Sequence, residues 1–478
     1  MVPNWITQRA MLSPHKVALQ FEGQTWTYQS LHERAAMRAQ QLTTLGIQPF
    51  DRVAIYATST ADIIHMMLGC MHLQCEMVLL NLRLSPYELA YQIDDAAVQA
   101  ILVEDALIDR LPACEKTIYP FSVVCAQTPR PFTISDTWDE GATMTIMYTS
   151  GTTGFPKGVR QTVGNHMSVA TSSLYNTGMR EDDAWLCTMP LFHISGFSML
   201  VKCLMHGVRL DLYTKFDVKK VADALINGKV SHMSVVAVTL ERLISELERR
   251  QAVASPKFQM MLAGGGAVPE SYLQRAFACG LRVAQTYGMT ETSSQTATLS
   301  PSDALRKIGS AGKPLFFNQI RIEGATKPRD IGEICIKGDH VTPGYIGRFA
   351  QKASKIDGWL YSGDIGYVDE EGYLYVVDRR SDLIISGGEN IYPAEIENVL
   401  AAHPAIQEVG VCGVDSAEWG QVPVAFIVAK DRAACEALHT YCCERLARYK
   451  VPKAFHFVDA LPRNGSNKLM RRKLHELL

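Results

Sequence analysis

Hydrophobic and polar residues alternate with two different periods in the first hundred positions of the chain. Apolar side chains recur at helical spacing over residues 28–45, and Thr27 is a suitable cap for that helix. Another helix is predicted to begin at Ser85, which forms a capping-box pair with Glu88 and precedes a proline. Short β-prone runs lie at residues 53–55, 77–80 and 101–103. This alternation predicts parallel sheet covered by helices.

The pattern changes to hairpins from residue 364 onward. Residues 366–369 and 372–377 flank an acidic turn, and further strands are predicted at 409–412, 424–428 and 455–458. A charged stretch at 378–382 lies between two apolar segments. We therefore predict an N-terminal domain of residues 1–380 and a C-terminal domain of residues 381–478, a size that can fold alone.

The composition is that of an ordinary globular protein, but the net charge and the apolar runs argue against some kinds of partner. Of 478 residues, 47% are hydrophobic and 20% charged, as in ordinary globular proteins. The net charge of −2 gives no reason to expect nucleic acid or a charged membrane surface as a partner. No apolar run is long enough to span a bilayer, and the first residues lack the pattern of a secretory signal. The twelve cysteines lack metal-binding spacing, which favours free thiols and a cytoplasmic location. A homo-oligomer is left open.

The stretch from residue 149 to 158, Thr-Ser-Gly-Thr-Thr-Gly-Phe-Pro-Lys-Gly, follows a β-prone run at 142–148. Its glycines let the backbone turn tightly, and its hydroxyls and Lys157 can donate to an anion. We therefore expect a polyphosphate loop. It is not a Walker A loop, because Lys157 stands between a proline and a glycine. The alternative is a surface loop rich in turn-forming residues.

Three further segments carry chemical groups but are ambiguous alone. Residues 285–291, Gln-Thr-Tyr-Gly-Met-Thr-Glu, form a hydroxyl-rich bend with one carboxylate, which by itself favours a solvated turn. Asp364 follows Tyr-Ser-Gly, where an aspartate is usually a turn residue. Lys468 begins a basic stretch near the end of the chain, which by itself is typical of a solvated helix start.

Together and in this order, these segments resemble the signatures of the adenylate-forming superfamily, which includes acyl-CoA synthetases, luciferases and peptide-synthetase adenylation domains. The resemblance covers the chain from roughly residue 20 to its end. It implies an α/β fold with a large N-terminal domain of helix-covered sheets, a small mobile α+β C-terminal domain, and an active site between them.

The resemblance also implies roles for individual residues. Tyr287 would stack on adenine, Asp364 and Arg379 would bind the ribose, Thr290 would contact the α-phosphate, and Glu291 would hold Mg²⁺. The full ATP-binding set is Thr149, Ser150, Gly151, Thr152, Thr153, Gly154, Lys157, Gly265, Gly266, Tyr287, Asp364 and Arg379.

The C-terminal residues are assigned on the same resemblance. Lys468 would clamp the attacking carboxylate and the α-phosphate. Asn467 stands where relatives often have glycine, and asparagine tolerates left-handed backbone well. Gly387 and Gly388 would line a tunnel for coenzyme A. Ser381 would be the hinge, although many relatives have aspartate or lysine there.

The acid is predicted from a narrower resemblance. Residues 165–166, 192–196, 285–295, 308–316 and 463–469 resemble the 2-succinylbenzoate–CoA ligase branch of menaquinone biosynthesis. Its substrate carries a second, aromatic carboxylate, so polar groups are expected in the pocket. His193 would lie near the reacting carboxylate and is assigned a catalytic role. The predicted pocket residues are His193, Ser195, Gly264, Gln285 and Ser293, and further polar groups are available at Thr292, Ser294 and Gln295.

The implied reaction uses a carboxylic acid, ATP with Mg²⁺, and coenzyme A as cosubstrate. The acid first forms an acyl-adenylate and diphosphate, and the thiol then displaces AMP. Three alternatives remain: another acyl- or aryl-CoA ligase, an adenylation enzyme that loads a carrier protein, and a non-catalytic nucleotide sensor. The sensor is disfavoured because Lys468, Glu291 and Asp364 are all present.

Overall fold

Buried strands alternate with amphipathic helices along most of the chain, as the hydrophobic pattern predicts. The computed structural model describes residues 1–149, 155–266, 268–379, 382–386, 389–416, 419–431, 437–446, 448–464 and 467–478. None of the helices in these ranges is both long enough and apolar enough to span a membrane.

The helices and strands have the following bounds. The α-helices are α1 Trp5–Leu12, α2 Tyr28–Thr44, α3 Ala61–His72, α4 Pro86–Asp95, α5 Phe121–Cys125, α6 Val163–Thr177, α7 Ile194–His206, α8 Val218–Ile226, α9 Ala237–Arg249, α10 Glu270–Ala278, α11 Pro393–Ala401 and α12 Leu438–Cys443. The strands are β1 Val2–Pro3, β2 Val17–Phe21, β3 Gln24–Thr27, β4 Arg52–Tyr56, β5 Glu76–Leu79, β6 Ala100–Val103, β7 Thr117–Pro120, β8 Thr137–Trp138, β9 Thr143–Thr149, β10 Lys157–Thr162, β11 Ala184–Cys187, β12 Arg209–Leu212, β13 His232–Val235, β14 Met260–Ala263, β15 Val283–Tyr287, β16 Ala297–Thr298, β17 Lys313–Pro314, β18 Gln319–Ile322, β19 Gly332–Lys337, β20 Gly344–Tyr345, β21 Leu360–Val368, β22 Leu374–Arg379, β23 Ile384–Ser386, β24 Glu389–Ile391, β25 Ile406–Ser416, β26 Gly420–Ala429 and β27 Ala454–Phe457.

Two large sheets form the first part of the molecule. The seven-stranded sheet has the order β20-β10-β9-β5-β4-β6-β7, and the nine-stranded sheet has the order β17-β16-β15-β14-β13-β11-β12-β2-β3. Strands β4, β5, β6 and β7 pair in parallel, as do β11 to β15 and β12 with β2. The predicted parallel sheet covered by helices is therefore confirmed, with antiparallel pairs at its edges.

One hydrophobic core joins the two sheets. It contains Leu79 of β5 and Leu210 of β12, and between them Leu68 of α3 and Phe197 of α7. Eleven of the twelve residues of α3 are buried, which is why its methionines and isoleucines extend around the whole helix rather than along one stripe. The sheets thus share a helical layer, which places the ends of β9 and β15 on one framework.

Two smaller sheets follow along the chain, and only the second of them belongs to the C-terminal part. A four-stranded sheet has the order β18-β19-β21-β22, and the final sheet has the order β24-β23-β26-β25 with β27 on β26. Pairing changes from one sheet to the other between Arg379 and Ile384. The predicted boundary at 380–381 lies outside the described residues, so the exact division remains a prediction.

Most predicted elements are confirmed, including the caps. Thr27 accepts a hydrogen bond from the Ser30 amide, and Ser85 and Glu88 form both bonds of a capping box. Several extents differ from the prediction. Strands β25 and β26 are longer than the predicted residues 409–412 and 424–428, and β21 begins before Asp364, which therefore lies inside a strand. Pairing with a neighbouring strand extends these elements beyond their local apolar runs.

Candidate active site

The predicted phosphate loop connects two paired strands. Strands β9 and β10 are antiparallel, and Lys157 lies opposite Thr149. Residues Ser150, Gly151, Thr152, Thr153 and Gly154 lie outside the described residues. Lys157 is only 9% exposed, and its ammonium lies 5.6 Å from the ring centroid of Tyr345 and 5.7 Å from that of Phe349. The lysine of the loop is therefore held at the base of the hairpin.

Charges of both signs gather around this lysine. Burial lowers the pKa of Lys157, contact with Lys352 lowers it further, and the Glu291 carboxylate opposes both effects. Burial and the same carboxylate raise the pKa of the Tyr345 phenol. Two ammonium groups and one carboxylate thus lie together beside the phosphate hairpin. This charge arrangement suits a polyphosphate that carries a divalent cation.

Backbone hydrogen bonds fix Glu291 beside the hairpin. The Gln161 amide Nε2 donates to the Thr290 carbonyl at 2.8 Å, and the Thr342 amide donates to the Glu291 carbonyl at 2.8 Å. Gln161 in turn accepts from the Thr145 hydroxyl at 2.6 Å. Both Gln161 and Thr145 belong to the strands that flank the phosphate loop, so the carboxylate and the loop share one support.

Backbone packing requires glycine in the middle of this second segment. A Cβ on Gly288 would lie 1.6 Å from the Ser294 carbonyl oxygen. Ser293 and Ser294 have φ values of 52° and 126°, which are unusual for residues with a side chain. The chain therefore turns sharply back on itself just after β15, which brings residues 293–295 close to Tyr287.

The predicted adenine and ribose residues are in contact. Tyr287 ends β15, and its hydroxyl donates to Asp364 Oδ2 at 2.8 Å. Asp364 is 6% exposed and pairs through its backbone with Arg379 on β22. The side chain of Arg379 lies outside the described part of the structure. A ring and a carboxylate suited to a nucleoside are thus held on adjoining sheets.

The glycine bend after β14 lies against the same segment. Gly265 has a φ of +79°, and a Cβ on Gly264 would lie 2.9 Å from Thr286 Cγ2. Gly266 has open space around it, with no atom of the described residues within 4 Å of an added Cβ. The bend therefore follows a strand end and packs against Thr286 at Gly264, in the kind of position predicted for a pocket wall.

Helix α7 carries a polar face that reaches the turn after β15. His193 is its N-terminal cap residue, and Ser195, Ser198 and Lys202 follow at spacings that share one face. The Ser198 hydroxyl donates to the Ser294 hydroxyl at 3.3 Å, and the Lys202 ammonium donates to Gln295 Oε1. The helix face that carries Ser195 therefore contacts residues 294–295, and the acyl pocket at this place remains a prediction.

Two predicted pocket residues are buried, but their surroundings do not assign them to the acyl pocket. Gln285 is 6% exposed and Ser293 is 0% exposed. Gln285 Nε2 and Ser293 Oγ have no hydrogen-bond partner among the described residues. Gln285 points to the face of β15 opposite to Thr286, because side chains alternate along a strand. Roles for both in binding the acid remain predictions.

The loop that carries Lys468 is tied to the N-terminal part of the chain. Arg83 Nη1 donates to the Asn464 carbonyl at 3.2 Å, and the Lys468 amide donates to Asn464 Oδ1 at 2.9 Å. Asn467 has a φ of 63°, so the expected left-handed backbone is confirmed. Ser381, Gly387 and Gly388 lie outside the described residues, and their hinge and tunnel roles remain predictions.

Sequence reasoning missed Gln161, Ser198, Thr286, Lys202 and Lys352. Four of them are connected with the site only by contacts with residues that are distant in the sequence. Lys202 did carry a local signal, since it is a lysine inside an otherwise apolar helix.

Known families and relatives match most of the chain, including residues of the candidate site. The family described as "AMP-binding enzyme" matches residues 6–346, and "AMP-binding enzyme C-terminal domain" matches residues 395–468. The 2-succinylbenzoate–CoA ligase of Geobacillus sp. strain WCH70 is 44% identical over 484 residues, which cover 100% of this chain and 98% of the relative. The resemblance to the adenylate-forming superfamily is therefore confirmed.

Solved structures of one relative match the chain to different extents. The o-succinylbenzoate CoA synthetase of Bacillus subtilis with its acyl-adenylate intermediate has a TM-score of 0.92 at 41% identity, over 99% of this chain and 98% of that chain. A double mutant of the same enzyme with the product analogue OSB-NCoA has a TM-score of 0.76 at 41% identity, over 99% and 98%. The present arrangement is thus more similar to the acyl-adenylate complex. From its signatures, its fold and these matches, the chain belongs to the family of AMP-binding enzymes.

Proposed function

We propose that the protein is an ATP- and Mg²⁺-dependent ligase that converts 2-succinylbenzoate and coenzyme A into 2-succinylbenzoyl-CoA, AMP and diphosphate. The observation that carries the proposal is the convergence of Lys157 and Glu291 with the Tyr287–Asp364 pair. Lys157 and Glu291 suit a triphosphate that carries Mg²⁺, and Tyr287 and Asp364 suit the nucleoside.

In the first step, an oxygen of the acid attacks the α-phosphorus of ATP. The bond from that phosphorus to the diphosphate oxygen breaks, and diphosphate leaves with the electron pair. Lys157 neutralises the phosphates, Thr290 contacts the α-phosphate, and Lys468 holds the attacking carboxylate against it. Glu291 would hold Mg²⁺, since carboxylate and phosphate oxygens are its preferred ligands. When bound, Mg²⁺ neutralises the charge that develops on the departing diphosphate.

In the second step, the sulfur of coenzyme A attacks the acyl carbon of the adenylate. The carbon–oxygen bond to AMP breaks, and the thiol proton is lost to solvent. AMP leaves with the oxygen that came from the acid. We propose that the absence of side chains at Gly387 and Gly388 favours entry of the thiol.

The acid is proposed from two supports. The full-length relatives bear the name 2-succinylbenzoate–CoA ligase. Helix α7 and the turn after β15 carry hydroxyl groups at Ser198 and Ser294, which suit a substrate with a second polar group. His193, the N-cap residue of that helix, is proposed to lie near the reacting carboxylate. We place the reaction in the cytoplasm, which the free state of the eleven described cysteines supports.

Formation of AMP with coenzyme A present and then omitted tests the proposal. A ligase releases AMP continuously only when the acid and free coenzyme A are both present. Continuous release that needs a carrier protein instead of coenzyme A would identify a loading enzyme. Absence of any acid-dependent diphosphate release, across aryl and fatty acids, would leave only nucleotide binding and refute the proposal.

A further inference from the structure

Asp95, the last residue of α4, joins two segments that are distant from each other in the sequence. Its Oδ2 accepts a hydrogen bond from the Tyr148 hydroxyl at 2.7 Å, and its Oδ1 accepts one from the Arg348 amide at 2.7 Å. Tyr148 lies on β9, directly before the phosphate loop, and Arg348 follows β20. One carboxylate thus ties the strand that enters the loop to the segment after β20.

The chain that leaves the loop is held by the same helix. The Tyr91 hydroxyl donates to the Pro156 carbonyl at 3.2 Å, and the ring centroids of Tyr91 and Phe155 are 5.4 Å apart. The Arg348 guanidinium lies 4.0 Å from the centroid of the Phe155 ring. Because Tyr91 and Asp95 are four residues apart, they share one face of α4. That face therefore contacts the chain on both sides of residues 150–154.

The segment 346–348 fits closely between α4 and β10. A Cβ on Gly347 would collide with the Asp95 carboxyl group, and Gly347 has a φ of +59°. On the other side, a Cβ on Gly158 of β10 would lie 2.6 Å from Ile346 Cγ1, and the Ile346 amide donates to the Gly158 carbonyl at 2.9 Å. A change at the end of α4 should therefore be transmitted to the stem of the phosphate loop.

The same segment lies between the two aromatic residues that cover the lysine of the loop. The Lys157 ammonium lies 5.6 Å from the ring centroid of Tyr345 and 5.7 Å from that of Phe349. Asp95 holds the Arg348 amide between these two residues, so it also restricts where their rings can lie. It thereby acts on the direction of Lys157 without being listed among its neighbours in space.

We propose that Asp95 is a positioning residue for the β- and γ-phosphates of ATP, because it holds the strand that enters the phosphate loop and the segment that covers Lys157 in one arrangement. The proposal rests on the proposed function and adds a residue that acts through Tyr148 and Arg348. Its effect should be confined to steps that involve the polyphosphate. ATP carries these two phosphates, whereas AMP and the acyl-adenylate do not.

Binding of two nucleotides to two variants tests the assignment. Asp95→Ala removes both hydrogen bonds, and Tyr148→Phe removes one of them but keeps the ring. The Kd for ATP with Mg²⁺, measured by calorimetry, is expected to rise about tenfold in Asp95→Ala and about threefold in Tyr148→Phe. The Kd for AMP is expected to stay within about twofold in both variants. Asp94→Ala, at the exposed neighbouring position of the same turn, is the matched control and should change neither value.

The two half-reactions give a second measurement. The KM for ATP in diphosphate release should rise in parallel with the Kd, whereas conversion of supplied acyl-AMP and coenzyme A should keep the wild-type rate. Asp95→Asn keeps an oxygen that can accept from the Arg348 amide, so its KM for ATP should lie between those of Asp95→Ala and the wild type.

The outcomes separate positioning from folding. Equal losses for ATP and AMP, or equal losses in the two half-reactions, would assign Asp95 to the stability of the fold and overturn the proposal, as would wild-type affinity for ATP in Asp95→Ala. If Asp95→Ala does not fold, Tyr148→Phe decides between the same results. A wild-type protein that binds ATP but releases diphosphate with none of the acids would instead refute the proposed function.

Discussion

At the scale of single residues, the burial of Lys157 is the feature that most directly concerns anion binding. Lys157 lies at the base of the β9–β10 hairpin, and burial lowers its pKa. A bound anion favours the protonated form of a lysine. Binding of a polyphosphate is therefore expected to remove an electrostatic cost that the ligand-free protein carries.

Glu291 is expected to set the magnesium requirement. Glu291→Gln keeps the size of the side chain but removes the charge, so diphosphate release should fall about a hundredfold and need more Mg²⁺. Titration of Mg²⁺ at fixed ATP measures both effects. Glu270→Gln, at the exposed start of α10, should behave as wild type. A normal rate with an unchanged Mg²⁺ midpoint would contradict the metal assignment.

At the scale of elements, the site depends on bends that follow parallel strands. Strand β15 leads into the turn at Gly288, and β14 leads into the glycines that face it. The hairpin of β9 and β10 supports Glu291 through Gln161. Each bend is positioned by a neighbouring strand, so a change in one should move groups on another.

Gly288→Ala tests this coupling. The added Cβ would lie 1.6 Å from the Ser294 carbonyl oxygen, so the turn must shift. We expect a loss of about 1–3 kcal/mol in the free energy of unfolding by urea, together with slower adenylation. Gly141→Ala is the control, since its nearest neighbour would be 3.6 Å away. Equal stability of the two variants would show that the turn adapts without cost.

Local patterns predicted these elements better than they predicted the contacts between them. The caps at Thr27 and Ser85 and the left-handed Asn467 follow from residue type and near neighbours. The role of Gln161 could not be predicted, because its partner Thr290 is 129 positions away. The order of strands in the two large sheets depends on the same kind of distant pairing.

At the scale of the whole molecule, the resemblance to a superfamily supplied what local patterns lacked. It predicted the order of two domains and brought Asp364, Glu291 and Lys468 into one hypothesis. The TM-scores of 0.92 and 0.76 show that this chain is more similar to the acyl-adenylate complex of the relative from Bacillus subtilis than to its complex with a product analogue. Contact of Arg83 with the Lys468 loop belongs to the arrangement seen here.

Domain alternation predicts that Lys468 serves one half-reaction. Lys468→Ala should slow acyl-adenylate formation about a hundredfold or more, because negative charge crowds there. Conversion of supplied acyl-AMP and coenzyme A should stay near normal. A bulky residue at Gly388 should have the opposite effect. Separate assays of the two half-reactions measure this, and an equal loss in both for Lys468→Ala would favour a single fixed site.

The central claim is that an oxygen of the acid attacks the α-phosphorus of ATP and that the acid is thereby activated as an acyl-adenylate. Reaction of 2-succinylbenzoate labelled with ¹⁸O in its succinyl carboxylate tests this most directly. The mechanism predicts that each AMP formed with coenzyme A carries one labelled oxygen, and that diphosphate carries none. Label in inorganic phosphate with ADP as the other product, or AMP without label, would contradict it.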